Sequence, residues 1–186
     1  MATRWFHIFL ALVVMFCKAA AAQAASLRPS ILAGFMSQPS SQYYNYVYGG
    51  QVDLARTKES ALVRLQYIER PEFRSGDYVD QDFSSMFFVG KSVLQRGSLG
   101  VTALVGGGYA WGYLKSTQTD AYARNGYRLP GIGSALEGRW TSKNWDIRLT
   151  HQVLICQGYK DQLQAYVAWP FNWFLISISH PLTIGG

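Results

Sequence analysis

Residues 98–113, SLGVTALVGGGYAWGY, constrain this chain more than any other stretch. Every second residue from Leu99 is apolar or aromatic: Leu99, Val101, Ala103, Val105, Tyr109 and Trp111, interrupted only at Gly107. Between them stand Gly100, Thr102, Gly106, Gly108 and Ala110, small or weakly polar, with Leu104 the one exception. A helix would need apolar residues at three- and four-residue spacing, and so many glycines would weaken it badly. Period two marks a strand. Its length, about a dozen residues, exceeds the usual globular strand and suits a tilted strand crossing a bilayer, which takes roughly 9–11.

The N-terminus fits the same destination. Arg4 precedes an apolar run from Trp5 to Phe16, and small residues end at Ala22-Gln23-Ala24. That is the layout of a secretory signal peptide, so residues 1–24 are assigned to a cleaved signal and Sec-type export is expected. The mature chain is then a single domain, with residues 25–169 as the barrel and residues 170–186 as a C-terminal extension or an additional strand. Losing Arg4 and Lys18 leaves 15 basic residues against 11 acidic ones. That mild excess suits anionic headgroups, and the basic residues form no cluster of the kind nucleic acid requires. Cys156 is the only cysteine left, so no intrachain disulfide forms. No C-x-x-C, H-E-x-x-H, GxGxxG or P-loop spacing occurs, and neither metal nor cofactor is expected. The run Gly106-Gly107-Gly108 reads as close packing or a bend in a small barrel rather than a phosphate loop.

Taken in order, strands are expected at 30–36, 44–56, 61–70, 82–94, 99–113, 131–140, 145–155 and 162–169. The faces of the fourth are hard to separate because Met86, Phe87, Phe88 and Val89 are continuously apolar. Short turns at 57–60, 95–98 and 141–144 alternate with longer connections at 37–43, 71–81, 114–128 and 156–161. Eight strands with such alternation describe an all-β, antiparallel, up-and-down transmembrane barrel in the outer membrane. Two interfacial girdles follow: Trp140, Trp145 and Trp169 at the short-turn end, Tyr109 and Trp111 at the other.

The same parity places Gln51, Asp53, Arg64, Gln66, Glu137, Arg139, Asp146, Arg148 and Gln152 inside. An eight-stranded barrel is only wide enough to be filled by side chains. Opposite charges there must pair, because an isolated buried charge is very costly. The interior therefore reads as a structural plug, not a conducting path.

From residue 98 onward, SLGVTALVGGGYAWGYLKS followed by RLPGIGSALEGRWTSKNWDIRLTH resembles the small lipid A 3-O-deacylase barrels in order and spacing. The resemblance implies an esterase with a His-x-Ser pair on the seventh strand and a downstream glutamate. The aligned residues are His151, Gln152 and Val153, so the histidine matches and the serine does not. No glutamate follows Glu137, and Asp161 is the substitute carboxylate. Acyl-ester hydrolysis needs a hydroxyl within reach of the histidine, and valine offers none. His151, expected on the lipid-facing side near the outer boundary, is thus the sole catalytic candidate, with an interfacial ring as its plainer role. The function expected is a non-enzymatic outer-membrane barrel whose loops, above all 115–128, contact lipopolysaccharide, polysaccharide or an envelope protein. The alternatives are a degenerate deacylase-like esterase, an accessory barrel of polysaccharide export, and a soluble lipocalin-like carrier.

Overall fold

The computed structural model describes residues 25–37, 45–56, 61–75, 78–116, 125–143, 145–160, 165–180 and 182–183. The expected signal peptide and the centre of the 115–128 loop lie outside them. Eight long strands form the wall: β1 (Ala25–Ser37), β2 (Asn45–Arg56), β3 (Ala61–Ser75), β4 (Tyr78–Arg96), β5 (Leu99–Ser116), β6 (Asn125–Thr141), β7 (Asp146–Lys160) and β8 (Ala165–Ser179). Each pairs antiparallel with its neighbours, and β1 pairs with both β2 and β8, which closes the sheet. A two-residue strand, β9 (Leu182–Thr183), adds to β1 at Ser26 and Leu27.

One row of partners measures the stagger. Leu27, Leu54, Val63, Val89, Val105, Ser134, Val153 and Asn172 meet in turn round the barrel, and Asn172 then meets Ser37, ten residues beyond Leu27. Such a stagger tilts the strands and leaves an interior just wide enough for side chains. Residues 57–60, 97–98 and 142–145 join strands at the turn end, where β8 also finishes. Gly97, at φ 58°, makes the left-handed corner of the tightest of these turns. The opposite end is the loop end.

The alternation read from sequence is the alternation of the wall. Outward positions carry Ile31, Val52, Val89, Val105, Ile132, Leu136, Leu149, Ile155, Ile176 and Ile178, all exposed. An apolar band around a closed barrel is the exterior of a transmembrane barrel.

Four expectations need correcting. Residues 170–179 are neither extension nor ninth strand: they are most of β8. The strand was hidden because Phe171, Trp173 and Leu175 point in while Phe174, Ile176 and Ile178 point out, so no polar face marks it. Trp169 accordingly pairs with Cys156 towards the loop end, away from Trp140 and Trp145. Three of the four longer connections also shrink, because the antiparallel ladder runs on past the apolar band: only 76–77 separate β3 from β4, 117–124 separate β5 from β6, and 161–164 separate β7 from β8.

The interior itself is the fourth. It is polar only in part, for Leu32, Met36, Val47, Ile68, Met86, Phe88, Leu104, Leu154, Phe171, Trp173 and Leu175 form an apolar core inside the barrel. The glycines of β5 and β6 make room for it. A Cβ at Gly133 would press on Phe88 and Leu154, and one at Gly108 on Met86. The small residues of 98–113 thus accommodate bulky apolar neighbours.

Candidate functional site

Towards the turn end the lumen holds a network of three arginines and three carboxylates, Arg28, Arg64 and Arg148 with Asp53, Glu137 and Asp146. Arg64 of β3 grips Asp53 of β2 with two nitrogens, Nε to Oδ1 at 2.7 Å and Nη2 to Oδ2 at 3.0 Å. The same Nη2 reaches across to Glu137 of β6, 2.6 Å from Oε2. Arg148 of β7 binds Asp53 from the other side through Nη1. Its Nη2 donates to Ser179 Oγ at 3.0 Å and lies 3.6 Å from Asp146. Arg28 of β1 completes the set, 3.0 Å from Asp146.

Hydroxyls and amides occupy the next layer. Thr150 Oγ1 donates to Glu137 at 3.2 Å, Gln66 Nε2 to Gln51 Oε1 at 3.1 Å, and Gln51 Nε2 to Ser177 at 3.5 Å. Six of the eight wall strands are therefore tied together through the lumen. Arg139 stands apart. It is half-buried at the turn-end mouth and donates to Gln95 Oε1 at 3.1 Å.

Above this plug lies the apolar core, and above that a second ion pair, Arg70 Nε to Asp82 Oδ2 at 2.6 Å. Cys156 is a buried thiol donating to the Leu129 carbonyl at 3.6 Å. Chemically this interior is a filled, charge-balanced plug.

On the exterior, Trp140 and Trp145 are exposed beside the turn end and Tyr109 towards the loop end. Trp111, half-buried, stacks on Phe83 with ring centroids 5.8 Å apart. Trp169 belongs to β8 by its backbone, and its side chain lies outside the described ones.

His151 points outward but not at the outer boundary. Ile147 and Leu149 flank it on one side along β7, and Val153 and Ile155 on the other, which puts it mid-band. Its ring stacks on Phe174 at 4.6 Å, and Leu136 is its partner on β6. Glycolipid esters sit near headgroups, not at mid-band, and no hydroxyl stands at position 153. His151→Leu is expected to leave folding intact and to stabilise the barrel in bilayers by about 1 kcal/mol, read as a higher unfolding midpoint, because an apolar side chain replaces a polar ring in the lipid band.

Sequence reasoning missed Arg28, Arg70, Asp82, Ser177 and Ser179. The serines belonged to the segment assigned outside the barrel. The Arg70–Asp82 pair lies at the edge of a stretch read as a loop.

No protein-family model matches the sequence, and no curated protein does. Solved structures do. Neisserial surface protein A superposes with a TM-score of 0.64 at 4% identity, covering 84% of this chain and 96% of that one. Ail, the attachment invasion locus protein of Yersinia pestis, gives 0.57 at 7% identity, with 86% and 99% covered. A major outer membrane protein from Thermus thermophilus gives 0.55 at 11% identity, with 86% and 100% covered. The likeness is one of fold. This chain shares the closed eight-stranded barrel with outer-membrane proteins from distant bacteria.

Proposed function

We propose that the chain is an outer-membrane barrel, exported by its N-terminal signal, that conducts nothing through its lumen and acts at its loop end. There it contacts envelope glycolipid, polysaccharide or a protein partner. The plugged lumen carries this reading: three arginines and three carboxylates close one level, and an apolar core fills the next. A barrel so filled has a rigid wall to offer and no channel, which leaves its connections as the seat of function. The fold shared with outer-membrane proteins supports the location.

Two measurements test it. The refolded protein in planar bilayers is expected to give no conductance steps above baseline, and sustained open-channel current would overturn the plug. Replacing residues 117–124 with a Gly-Ser linker is expected to leave the folded band on unheated gels unchanged. The same replacement should abolish retention on immobilised lipopolysaccharide, and retention that survives it would move the contact elsewhere.

A further inference from the structure

One carboxylate on the barrel exterior stands among aromatic rings. Along β3, Arg64, Gln66, Ile68 and Arg70 point in, so Glu69 points out, half-buried in the band's loop-end third. It sits in a row of partners across four strands, Tyr48 of β2, Glu69 of β3, Phe83 of β4 and Trp111 of β5. Tyr67, exposed and two residues away on the same face, lies 6.2 Å from Trp111 between ring centroids. The carboxylate is held in place rather than free to swing. Gln81 Nε2 donates to Oε1 at 2.9 Å, Tyr67 OH donates to Oε2 at 3.3 Å, and the Tyr48 hydroxyl reaches the same group. No lysine or arginine pairs with it among the described residues.

A carboxylate fixed among aromatic rings, facing out of an apolar band and with no lysine or arginine partner among the described residues, is costly unless a cation meets it. The chemistry selects the cation. A divalent metal takes six or more oxygens or a cluster of ligands, and no group of three or more His, Cys, Asp or Glu among the described residues is placed to supply one. A phosphate would be repelled, and a neutral sugar would leave the charge uncompensated. An organic ammonium satisfies both features at once: it pairs with the carboxylate and lies against electron-rich ring faces.

We propose that Glu69, Tyr48, Tyr67 and the Phe83–Trp111 stack form an exterior site for the ammonium group of a membrane-lipid headgroup. The occupant is a lipid because the row faces the bilayer, near the depth of the headgroups, and not the lumen. The site rests on the membrane reading above and adds the class of lipid that the wall itself selects.

The test uses the full chain reconstituted in nanodiscs of equal phosphatidylethanolamine and phosphatidylglycerol of matched acyl chains, with no choline lipid to compete for the site. Native mass spectrometry then reads which lipid stays bound on release. Phosphatidylethanolamine is expected to be retained over phosphatidylglycerol by about fivefold. That preference is expected to vanish when the ethanolamine nitrogen is acetylated, which needs no variant, and to vanish in Glu69→Gln. Equal retention of the two lipids, unchanged retention of the acetylated lipid, or an undiminished preference in Glu69→Gln each overturns the site. Failure to float with vesicles at all would instead overturn the membrane reading on which it rests.

Discussion

Arg148→Ala is expected to cost about 3–5 kcal/mol of unfolding free energy, the range for removing one partner of a buried ion pair. Arg148 is 1% exposed and touches Asp53, Asp146 and Ser179 from three different strands. Without it, three buried carboxylates face one buried arginine, Arg64, and one half-buried arginine, Arg28, and one negative charge is left uncompensated in the lumen. Urea titration of the barrel in micelles, scored by the folded and unfolded bands on unheated gels, measures the loss. Arg139→Ala is the natural comparison. That side chain is half-buried at the mouth and bonded to Gln95, so its removal is expected to cost no more than about 1 kcal/mol. Equal losses in the two variants would mean that the network is no tighter than a surface pair.

The source of the penalty can be separated from the loss of packing. Asp53→Asn combined with Arg148→Met removes one charge of each sign and leaves Arg64 with Glu137 and Arg28 with Asp146. Breaking a buried pair is expensive, whereas replacing both members by groups of similar size is often close to neutral. The double variant is therefore expected to recover more than half of the single variant's loss. A double variant as unstable as Arg148→Ala would assign the effect to the shape of the arginine rather than to its charge.

This network also shows what the sequence makes legible. Asp53, Arg64, Gln66, Glu137, Asp146 and Arg148 alternate with Val52, Leu65, Leu136 and Ile147 along their strands, and an alternation of polar with apolar reveals both the strand and its faces. Where the interior turns apolar, the signal disappears. Met86 and Phe88 point in while Phe87 and Val89 point out, and the same holds for residues 171–178 of β8. A wall that is apolar on both faces reads as a run without period. Pro170 then reads as a stop, although it is only one position within β8, opposite Ile155. The surroundings of Glu69 are hidden for a different reason. Its strand, 61–70, alternates plainly and sets Glu69 on the face of Ala61, Val63, Leu65 and Tyr67, but only the register that sets it beside Tyr48 and Phe83 shows the rings around it.

Gly106→Ala is expected to cost at least about 3 kcal/mol, the upper end of overpacking penalties, and to lower the yield of folded barrel. Gly106 points into the lumen from the middle of β5, paired with Phe88 on one side and Gly133 on the other. A Cβ there would collide with the Phe87 carbonyl oxygen and stand 2.8 Å from Phe88 Cα and 2.9 Å from the Phe87 carbonyl carbon. Each of these is backbone, so no side chain can swing aside. The methyl group can be admitted only by parting β4 from β5 in the centre of a closed sheet. An open sheet could relax at its edge, but a barrel has none, and the displacement passes to every neighbouring register. Gly97→Ala separates this steric effect from glycine's conformational freedom. Its added Cβ meets nothing within 4 Å, and the strain is confined to the left-handed φ of 58°, worth about 1–2 kcal/mol. Refolding the two variants side by side, with the fraction running as the folded band as the readout, is expected to rank Gly106→Ala well below Gly97→Ala. Equal folding of the two would mean that β4 and β5 part more readily than a closed wall allows, and that the glycines at 106 and 108 serve the turn geometry of the strand rather than the close approach of its neighbour.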